Sequence, residues 1–181
     1  AINGSTITLS KPLDFEHSAF TRPDGSLLSM PYIANATRNI VVRSENPAGV
    51  RGHTMFMDTA HVDLYHTAFV GLGRTLPIKI DNTNLSSTGH IGTNQIARYA
   101  VHWHHVHGHA DAQGITGRFV GNFGDGSDIG KWFCVQHGAH DLLVAENVAD
   151  RFVGSSYVTE DGYEIRGQYL RNFALGRKGR P

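Results

Sequence analysis

The stretch Asn39-Ile40-Val41-Val42 is a short β-branched run that follows a polar turn, and similar stretches recur as Val62-Asp63-Leu64-Tyr65 and Asp141-Leu142-Leu143-Val144. The first two begin at residues 39 and 62 and so lie 23 residues apart, about the length of one coil of a β-solenoid. Other apolar runs are equally short, and Gly, Asn, Asp and Ser separate them. The pattern predicts an all-β chain and favours a right-handed parallel β-helix, with a β-sandwich or a closed barrel as the alternatives.

The amino-acid composition reduces the number of function classes that the chain can belong to. The chain has 181 residues, 40% of them hydrophobic and 18% charged, which is typical of a folded domain. Lys plus Arg and Asp plus Glu each number 16, so the charge balance argues against nucleic-acid binding. Apolar runs are too short to insert into a membrane, and the first ten residues have a strand pattern rather than that of a signal peptide.

Histidine is the unusual residue: seven of the 12 histidines lie between His102 and His140. Period-two alternation in a strand over 99–106 sends Tyr99, Val101 and Trp103 to the core, and His102 and His104 outward together on an open face. Two imidazoles at i and i+2 can share a metal ion or line a sugar-binding groove, although inert exposed or buried histidines are alternatives.

A divalent metal needs further ligands, which neighbouring coils of a β-helix can supply. His53 and His137 are the candidates that join His102 and His104 in the predicted metal site. Each has a plainer alternative role as a turn or strand histidine. Zinc is the first expectation for the ion and calcium the second, because imidazole suits zinc.

Paired carboxylates occur at the turn Glu160-Asp161-Gly162. Glycoside hydrolysis commonly uses two carboxyl groups, and a histidine is an alternative proton carrier. Adjacent strand residues point in opposite directions, so we expect a partner for Glu160 or Asp161 from another coil. The candidate catalytic residues are therefore Glu160, Asp161 and His104, and the possible carboxylate partners are Asp58, Asp125 and Asp128.

Three residues are candidates for substrate contact. Arg98 carries a guanidinium that suits a glycan carboxylate, and Trp132 and Tyr157 offer flat apolar faces for pyranose rings. Ion pairing within the protein and core packing are the plainer roles for such residues.

A family resemblance rests on the collinear order of seven motifs over roughly residues 5–176. The chain resembles the β-helix region of the cell-migration-inducing hyaluronan-binding proteins and the transmembrane cell-surface hyaluronidases, including their bacterial relatives. The motifs are Ile7-Thr8-Leu9 with Pro12-Leu13-Asp14-Phe15-Glu16-His17, Arg38-Asn39-Ile40-Val41-Val42, Gly52-His53-Thr54-Met55-Phe56, Arg98-Tyr99-Ala100-Val101-His102-Trp103-His104, Val135-Gln136-His137-Gly138 and Thr159-Glu160-Asp161-Gly162.

The resemblance implies a parallel β-helix, an extracellular or cell-surface setting, and a polysaccharide partner such as hyaluronan. Two departures stand out. Ala100 and Trp103 replace a Pro and a Phe of the family pattern, and His105, His107 and His109 are additions to it. We expect one β-helix domain over residues 1–181, with residues 1–10 as the last strand of a glycine-rich β domain that precedes this region in the family.

These observations leave three functions open: a polysaccharide hydrolase that acts in a groove of the β-helix with possible metal assistance, a non-catalytic carbohydrate-binding or adhesive module, and a polysaccharide lyase. The hydrolase is the favoured interpretation. Oligomeric state is not predicted.

Overall fold

The computed structural model describes residues 2–84, 89–176 and 178–179, and for Ile2 the backbone only. The chain divides into two compact units, residues 1–34 and 35–181. The first contains two antiparallel pairs: β1 (Ile2–Asn3) with β2 (Thr6–Ile7), and β3 (Phe20–Thr21) with β4 (Leu27–Ser29). All the coils described next belong to the second unit, and the predicted extent of a single domain over 1–181 stays a prediction.

The second unit is a stack of three parallel sheets. The first sheet contains β5 (Ile40–Arg43), β8 (Thr67–Val70), β11 (Phe123–Asp125), β14 (Val148–Asp150) and β17 (Phe173–Leu175). The second contains β6 (Thr54–Asp58), β9 (Val101–Val106), β12 (Cys134–His137) and β15 (Tyr157–Thr159). The third contains β7 (Val62–Tyr65), β10 (Gly117–Val120), β13 (Leu142–Ala145) and β16 (Gln168–Leu170).

Successive strands visit the three sheets in a fixed rotation, so each coil takes one strand from each sheet. Every strand pairs in parallel with its counterpart one coil away, which confirms the predicted parallel β-helix. The β-sandwich alternative is wrong for this reason, because sandwiches pair antiparallel strands. Within the described residues, the structure has no helix with the length and apolar character needed to cross a membrane.

Register in the stack depends on a column of asparagines at one corner. Asn122, Asn147 and Asn172 follow one another at intervals of 25 residues. The amide oxygens of Asn147 and Asn172 each accept a hydrogen bond from the backbone N–H of the asparagine one coil earlier. Their amide nitrogens donate to Phe119 O and Val144 O. Thr67 occupies the equivalent place one coil earlier and donates its N–H to Asn122 Oδ1. The 23-residue interval between residues 39 and 62 is therefore not a coil length: β5 and β7 lie in different sheets.

The core of the coils is aromatic. Phe69, Phe119, Phe133 and Phe152 are almost fully buried, and the rings of Phe133 and Phe152 stack with centroids 5.0 Å apart. Trp103 points inward against Phe119, with ring centroids 5.5 Å apart. This packing fixes the direction of β9, and so determines which of its side chains face outward.

A long connection joins β8 to β9, and both of its ends lie next to the second sheet. Its two ends pair with each other and with the coil, since Gly73 donates its N–H to Gly52 O and Arg74 donates its N–H to Arg98 O. This connection brings residues 97–99 against the outer face of β9, as the contacts of His102 show below.

Candidate functional site

Parallel pairing stacks three histidines on the outer face of the second sheet. His137 of β12 pairs directly with His104 of β9, and the same position in β6 is Met57. His102 lies two residues before His104 on the same strand, and its neighbours in β6 and β12 are Met55 and Val135. Met57, His104 and His137 therefore form one column, and Met55, His102 and Val135 form the column beside it.

The three imidazoles form a compact group, here called the histidine cluster (His102, His104 and His137). Each residue offers a nitrogen that lies within 4.8 Å of the nitrogens offered by the other two. Ring centroids are 5.0 Å apart for His102 and His104, 6.0 Å for His102 and His137, and 4.6 Å for His104 and His137. Three nitrogens at such spacing can bind one ion, provided that their lone pairs are free.

Each of the three rings has one nitrogen without a hydrogen-bond partner in the part of the chain that the structure describes. His102 Nδ1 lies 3.1 Å from Ala97 O, so this nitrogen carries the proton and Nε2 is the free acceptor. Among the described residues, His102 Nε2, His104 Nδ1 and His137 Nδ1 are buried without a hydrogen-bond partner. Buried polar atoms of this kind are rare, and several in one place mark a candidate ligand-binding site.

Burial also keeps two of the rings neutral. Desolvation lowers the pKa of His102 to about 4, and the neighbouring histidines and Arg98 contribute in the same direction. The pKa of His104 is lowered as well, mainly by desolvation and then by His105 and His137. At neutral pH both rings are therefore unprotonated, which is the form that binds metals.

His102 is completely buried, so the open face expected from the alternation of β9 is wrong at this residue. The Tyr99 ring covers it edge-on with ring centroids 5.1 Å apart, and the Ala97 carbonyl closes another side. The long connection before β9 supplies this cover, which a single strand pattern does not reveal.

Glu160 and Asp161 both contact the cluster, and they do so on either side of one ring. Asp161 Oδ2 lies 2.9 Å from His137 Nε2, and Glu160 Oε2 lies 3.5 Å from His137 Nδ1. The expectation that adjacent carboxylates diverge is wrong here because β15 ends at Thr159, so strand alternation no longer applies. Glu160 Oε2 is a fourth buried polar atom without a hydrogen-bond partner among the described residues.

Tyr99 holds the other oxygen of Glu160. Its hydroxyl donates to Glu160 Oε1 at 2.7 Å, and burial together with this carboxylate raises the pKa of Tyr99. The phenol therefore remains a donor, and it leaves Oε2 directed to His137 as the free atom of the carboxylate.

The other proposed carboxylate partners lie apart from this arrangement. Asp125 belongs to the first sheet, where its Oδ2 accepts from Arg151 Nη2 at 2.6 Å. Asp128 is near Arg151 and Lys178, at 3.9 and 3.5 Å. Asp58 ends β6 and adopts a positive φ of 58°. Their predicted partnership with Glu160 or Asp161 is therefore wrong for Asp125 and Asp128, which are held by cations.

His53 lies outside the histidine cluster. Its Nδ1 is 3.1 Å from Arg74 Nη1, and desolvation with the nearby Arg74 and Arg98 lowers the pKa of His53 to about 4. A guanidinium that donates to Nδ1 uses one of the two possible ligand atoms and adds positive charge. The predicted role of His53 as a metal ligand therefore has no support from the geometry.

The three predicted substrate contacts have different positions. Arg98 is partly buried and close enough to His102 and His104 to lower their pKa values. The Trp132 ring lies 5.0 Å from that of Tyr99, with Lys131 Nζ 3.9 Å over it. Tyr157 packs against the hydrophobic core and donates its hydroxyl to Phe173 O at 3.3 Å, so its ring is committed to packing.

Two residues of the site, Tyr99 and His105, were not assigned a role there from the sequence. Tyr99 was expected to point to the core, but its ring covers His102 and its hydroxyl donates to Glu160. The His105 ring lies 4.4 Å from His104 and 4.6 Å from His137, measured between centroids. A β-bulge explains it: Asp58 pairs with Val106 rather than His105, and His105 adopts a positive φ of 51°. The bulge turns His105 toward the outer face despite its odd position, and no sequence signal other than the run of histidines indicates it.

Comparisons with known proteins give one match. A family model described as the CEMIP beta-helix matches residues 50–181, a range that contains strands β6 to β17 and every residue of the site. No curated protein and no solved structure gives a significant match. The parallel coils and the matched region agree with the resemblance drawn from the sequence motifs, and the chain therefore belongs to the CEMIP β-helix family.

Proposed function

We propose that this protein is a metal-assisted polysaccharide hydrolase that cleaves a hyaluronan-like glycan at the histidine cluster. One observation carries the proposal: three imidazole nitrogens and a carboxylate oxygen are buried at one place without hydrogen bonds. A surface that only bound sugar would have no reason to bury four unsatisfied polar atoms, because each costs roughly 1–3 kcal/mol. Family membership supports a glycan substrate and an extracellular or cell-surface location.

The donor set fits a divalent ion. His102 Nε2, His104 Nδ1 and His137 Nδ1 are nitrogen donors, and Glu160 Oε2 is available as an oxygen donor or as a base beside the ion. Two of the rings have an outer partner that fixes their orientation: Ala97 O for His102 and Asp161 for His137. Metal-binding histidines commonly have such partners. Three imidazoles and a carboxylate suit zinc better than calcium, which prefers oxygen ligands.

Zinc, when bound, lowers the pKa of a water molecule and polarises a substrate oxygen. Hydrolysis of a glycosidic bond also needs a group that accepts the proton of the attacking water. Glu160 suits this role, because the Tyr99 hydroxyl holds Oε1 and leaves Oε2 free. Asp161 orients His137 through the contact with Nε2, and its predicted role as a catalytic carboxyl group stays a prediction.

The position of Arg98 supports the binding of a negatively charged substrate. Its positive charge lies near the cluster, where a uronate carboxylate of the glycan would be bound. Trp132 beside Tyr99 provides an aromatic surface next to Glu160 for a sugar ring. These two residues are the proposed substrate contacts.

The test combines metal analysis with product analysis. Protein purified without a nickel column is expected to contain about one zinc per chain and to release reducing ends from hyaluronan. The double variant His102→Ala with His104→Ala is expected to lose both. A matched control removes two histidines elsewhere, His61→Ala with His90→Ala, which contact Asp63 and Asp81, and it is expected to keep both.

The variant Glu160→Gln distinguishes metal binding from catalysis. Its metal content is expected to stay unchanged, and the rate of product formation is expected to fall by at least about a hundredfold, as it does when a general base is lost. Products that absorb ultraviolet light would instead identify a lyase. Binding of the glycan without any products, by protein with a full complement of metal, would identify a carbohydrate-binding module and refute the hydrolase.

A further inference from the structure

The connection between β15 and β16 is longer than its counterpart in the preceding coil. By the register of the paired strands, residues 137–142 face residues 160–167, which is six positions against eight. Backbone groups of the longer segment cannot all continue the hydrogen-bond ladder between the coils, so side chains or water have to satisfy them. A side chain that does so determines where this segment lies.

One carboxylate, that of Glu164, satisfies the backbone at this place. Its Oε1 accepts from the Gly138 N–H at 3.0 Å and from the Asp161 N–H at 3.3 Å, and its Oε2 accepts from the Gly162 N–H at 2.9 Å. Within residues 161–170, all of which the structure describes, Glu164 alone is partly buried and its neighbours are exposed. Desolvation acts to raise the pKa of Glu164, but these backbone donors and its own N–H lower it below the ordinary value. The side chain is therefore an ionised acceptor, which makes stronger hydrogen bonds than a neutral one.

These hydrogen bonds join two coils beside the histidine cluster. Gly138 directly follows His137, and Asp161 is the residue whose carboxylate lies 2.9 Å from His137 Nε2. Glu164 therefore holds the backbone next to one partner of that contact and the backbone of the other partner from a single point.

Backbone hydrogen bonds between the same two coils lie on either side of Glu164. Glu160 donates its N–H to Gln136 O at 2.7 Å, and Asp141 donates its N–H to Ile165 O at 3.1 Å. The carboxylate of Glu164 thus takes the place of the ladder in the interval between them, where the longer segment leaves the register of the coil.

Gly138 has no room for a side chain, which connects its backbone closely to the site. Its φ is 59°, and a Cβ on this residue would lie 2.5 Å from His105 Nδ1 and 2.8 Å from Tyr163 Oη. The ring of His105 lies in turn against those of His104 and His137, with centroids 4.4 and 4.6 Å apart. A shift of the Gly138 backbone would therefore reach the cluster through His105 as well as through His137.

We propose that Glu164 is a positioning residue of the histidine cluster: its carboxylate joins the turn after β12 to the loop after β15, and so holds Asp161 against His137. Two carboxylates face that ring, since Asp161 Oδ2 lies 2.9 Å from Nε2 and Glu160 Oε2 lies 3.5 Å from Nδ1. The closer one keeps the proton on Nε2 and leaves Nδ1 free. The metal site proposed above needs a free Nδ1, so the effect of Glu164 on zinc binding rests on the proposed function, whereas its effect on the ring does not.

The first test reads the position of the His137 proton in zinc-free protein. Long-range proton–nitrogen NMR spectra at about pH 8, where an ordinary histidine is neutral, show which ring nitrogen carries the proton. The wild type is expected to hold it on Nε2. Glu164→Ala is expected to move most of it to Nδ1, toward Glu160. Glu164→Gln keeps one oxygen for the N–H groups of Gly138 and Asp161, and it is expected to restore the wild-type spectrum.

The second test measures zinc affinity by competition with a chelator on the folded variants. Glu164→Ala is expected to bind zinc roughly tenfold more weakly, as for loss of a residue that supports a metal ligand, and Glu164→Gln is expected to stay within about threefold of the wild type. The matched control Glu146→Ala removes a carboxylate that binds Arg171 between β13 and β14, and it is expected to change neither measurement.

Glu164→Asp gives the same comparison if Glu164→Ala does not fold, because the shorter side chain keeps the charge but cannot reach all three N–H groups. A lower thermal midpoint with an unchanged His137 proton and unchanged zinc affinity would show a purely structural role for Glu164 and overturn the proposal. Identical NMR spectra for Glu164→Ala and Glu164→Gln would also overturn it. Wild-type protein that binds no zinc would refute the proposed function, and the NMR spectra would still decide the role of Glu164.

Discussion

Asn147→Ala tests how the asparagine column holds the coils in register. Asn147 is completely buried. Its side chain accepts from the Asn122 N–H at 2.8 Å and donates to Phe119 O at 2.7 Å. Alanine removes these two hydrogen bonds from the interior of the stack, and a buried group that loses its partner costs roughly 1–3 kcal/mol. We therefore expect the free energy of unfolding to fall by roughly 2–6 kcal/mol.

Asn172→Ala is the matched control, because it removes the same side chain from the last coil. It deprives the Asn147 N–H and Val144 O of partners, at 3.1 and 2.8 Å, but Asn172 is only partly buried and water can replace the amide. We expect a loss of about 1 kcal/mol.

Urea denaturation followed by tryptophan fluorescence and by circular dichroism measures both variants, and agreement of the two probes checks two-state behaviour. A cost for Asn147→Ala no larger than that for Asn172→Ala would refute the reasoning that burial makes the column important.

Two further predictions concern the histidine cluster, and a third concerns His53. Zinc at a hundred times its dissociation constant is expected to stabilise the protein by about 2.7 kcal/mol, and thus to raise the thermal midpoint by roughly 5–11 °C, reversed by a chelator; a scan with no shift contradicts a bound metal. Asp161→Asn is expected to weaken zinc binding by roughly 10–100-fold in a competitive chelator titration, whereas Asp63→Asn, which loosens a carboxylate–histidine contact elsewhere, leaves it unchanged. His53 has a folded pKa of about 4, below its usual 6.5, so the unfolded chain binds its proton first and stability falls as the pH drops from about 6.5 to 4. His53→Gln is expected to remove on the order of 2 kcal/mol of this acid-induced loss of unfolding free energy, after allowance for the partial exposure of His53. The measurement is the urea midpoint as a function of pH, and identical profiles for the wild type and the variant would show that His53 does not titrate this way.

Columns of stacked residues connect the fold to the chemistry. The pairing of His137 with His104 brings two distant parts of the chain together, and the backbone N–H of Glu160 donates to Gln136 O at 2.7 Å, which holds the carboxylate beside His137. A shift of one residue in either coil would move a histidine to the opposite face of its strand. The stability of the register is therefore a condition for the metal site.

The alternation of inward and outward side chains in β9 could be predicted from the sequence. Val101 and Trp103 point inward and His102 and His104 outward because adjacent side chains in a strand alternate, which is a local property. The motif order also indicated the family and its parallel β-helix, since each motif keeps its place along the chain. The prediction that 23 residues form one coil was wrong, because β5 and β7 resemble each other in composition but lie in different sheets.

Only the tertiary structure decided what surrounds the two outward histidines. His137 and Glu160 reach them through inter-coil pairing, whose register depends on the length of every intervening loop. The burial of His102 depends on the long connection that folds back over β9, and the inclusion of His105 depends on a bulge opposite Asp58. The sequence alone thus determined which side chains of a strand point away from the core, because that follows from backbone geometry. The proposed metal site instead depends on contacts between residues far apart in the chain, which only the packing of the coils creates.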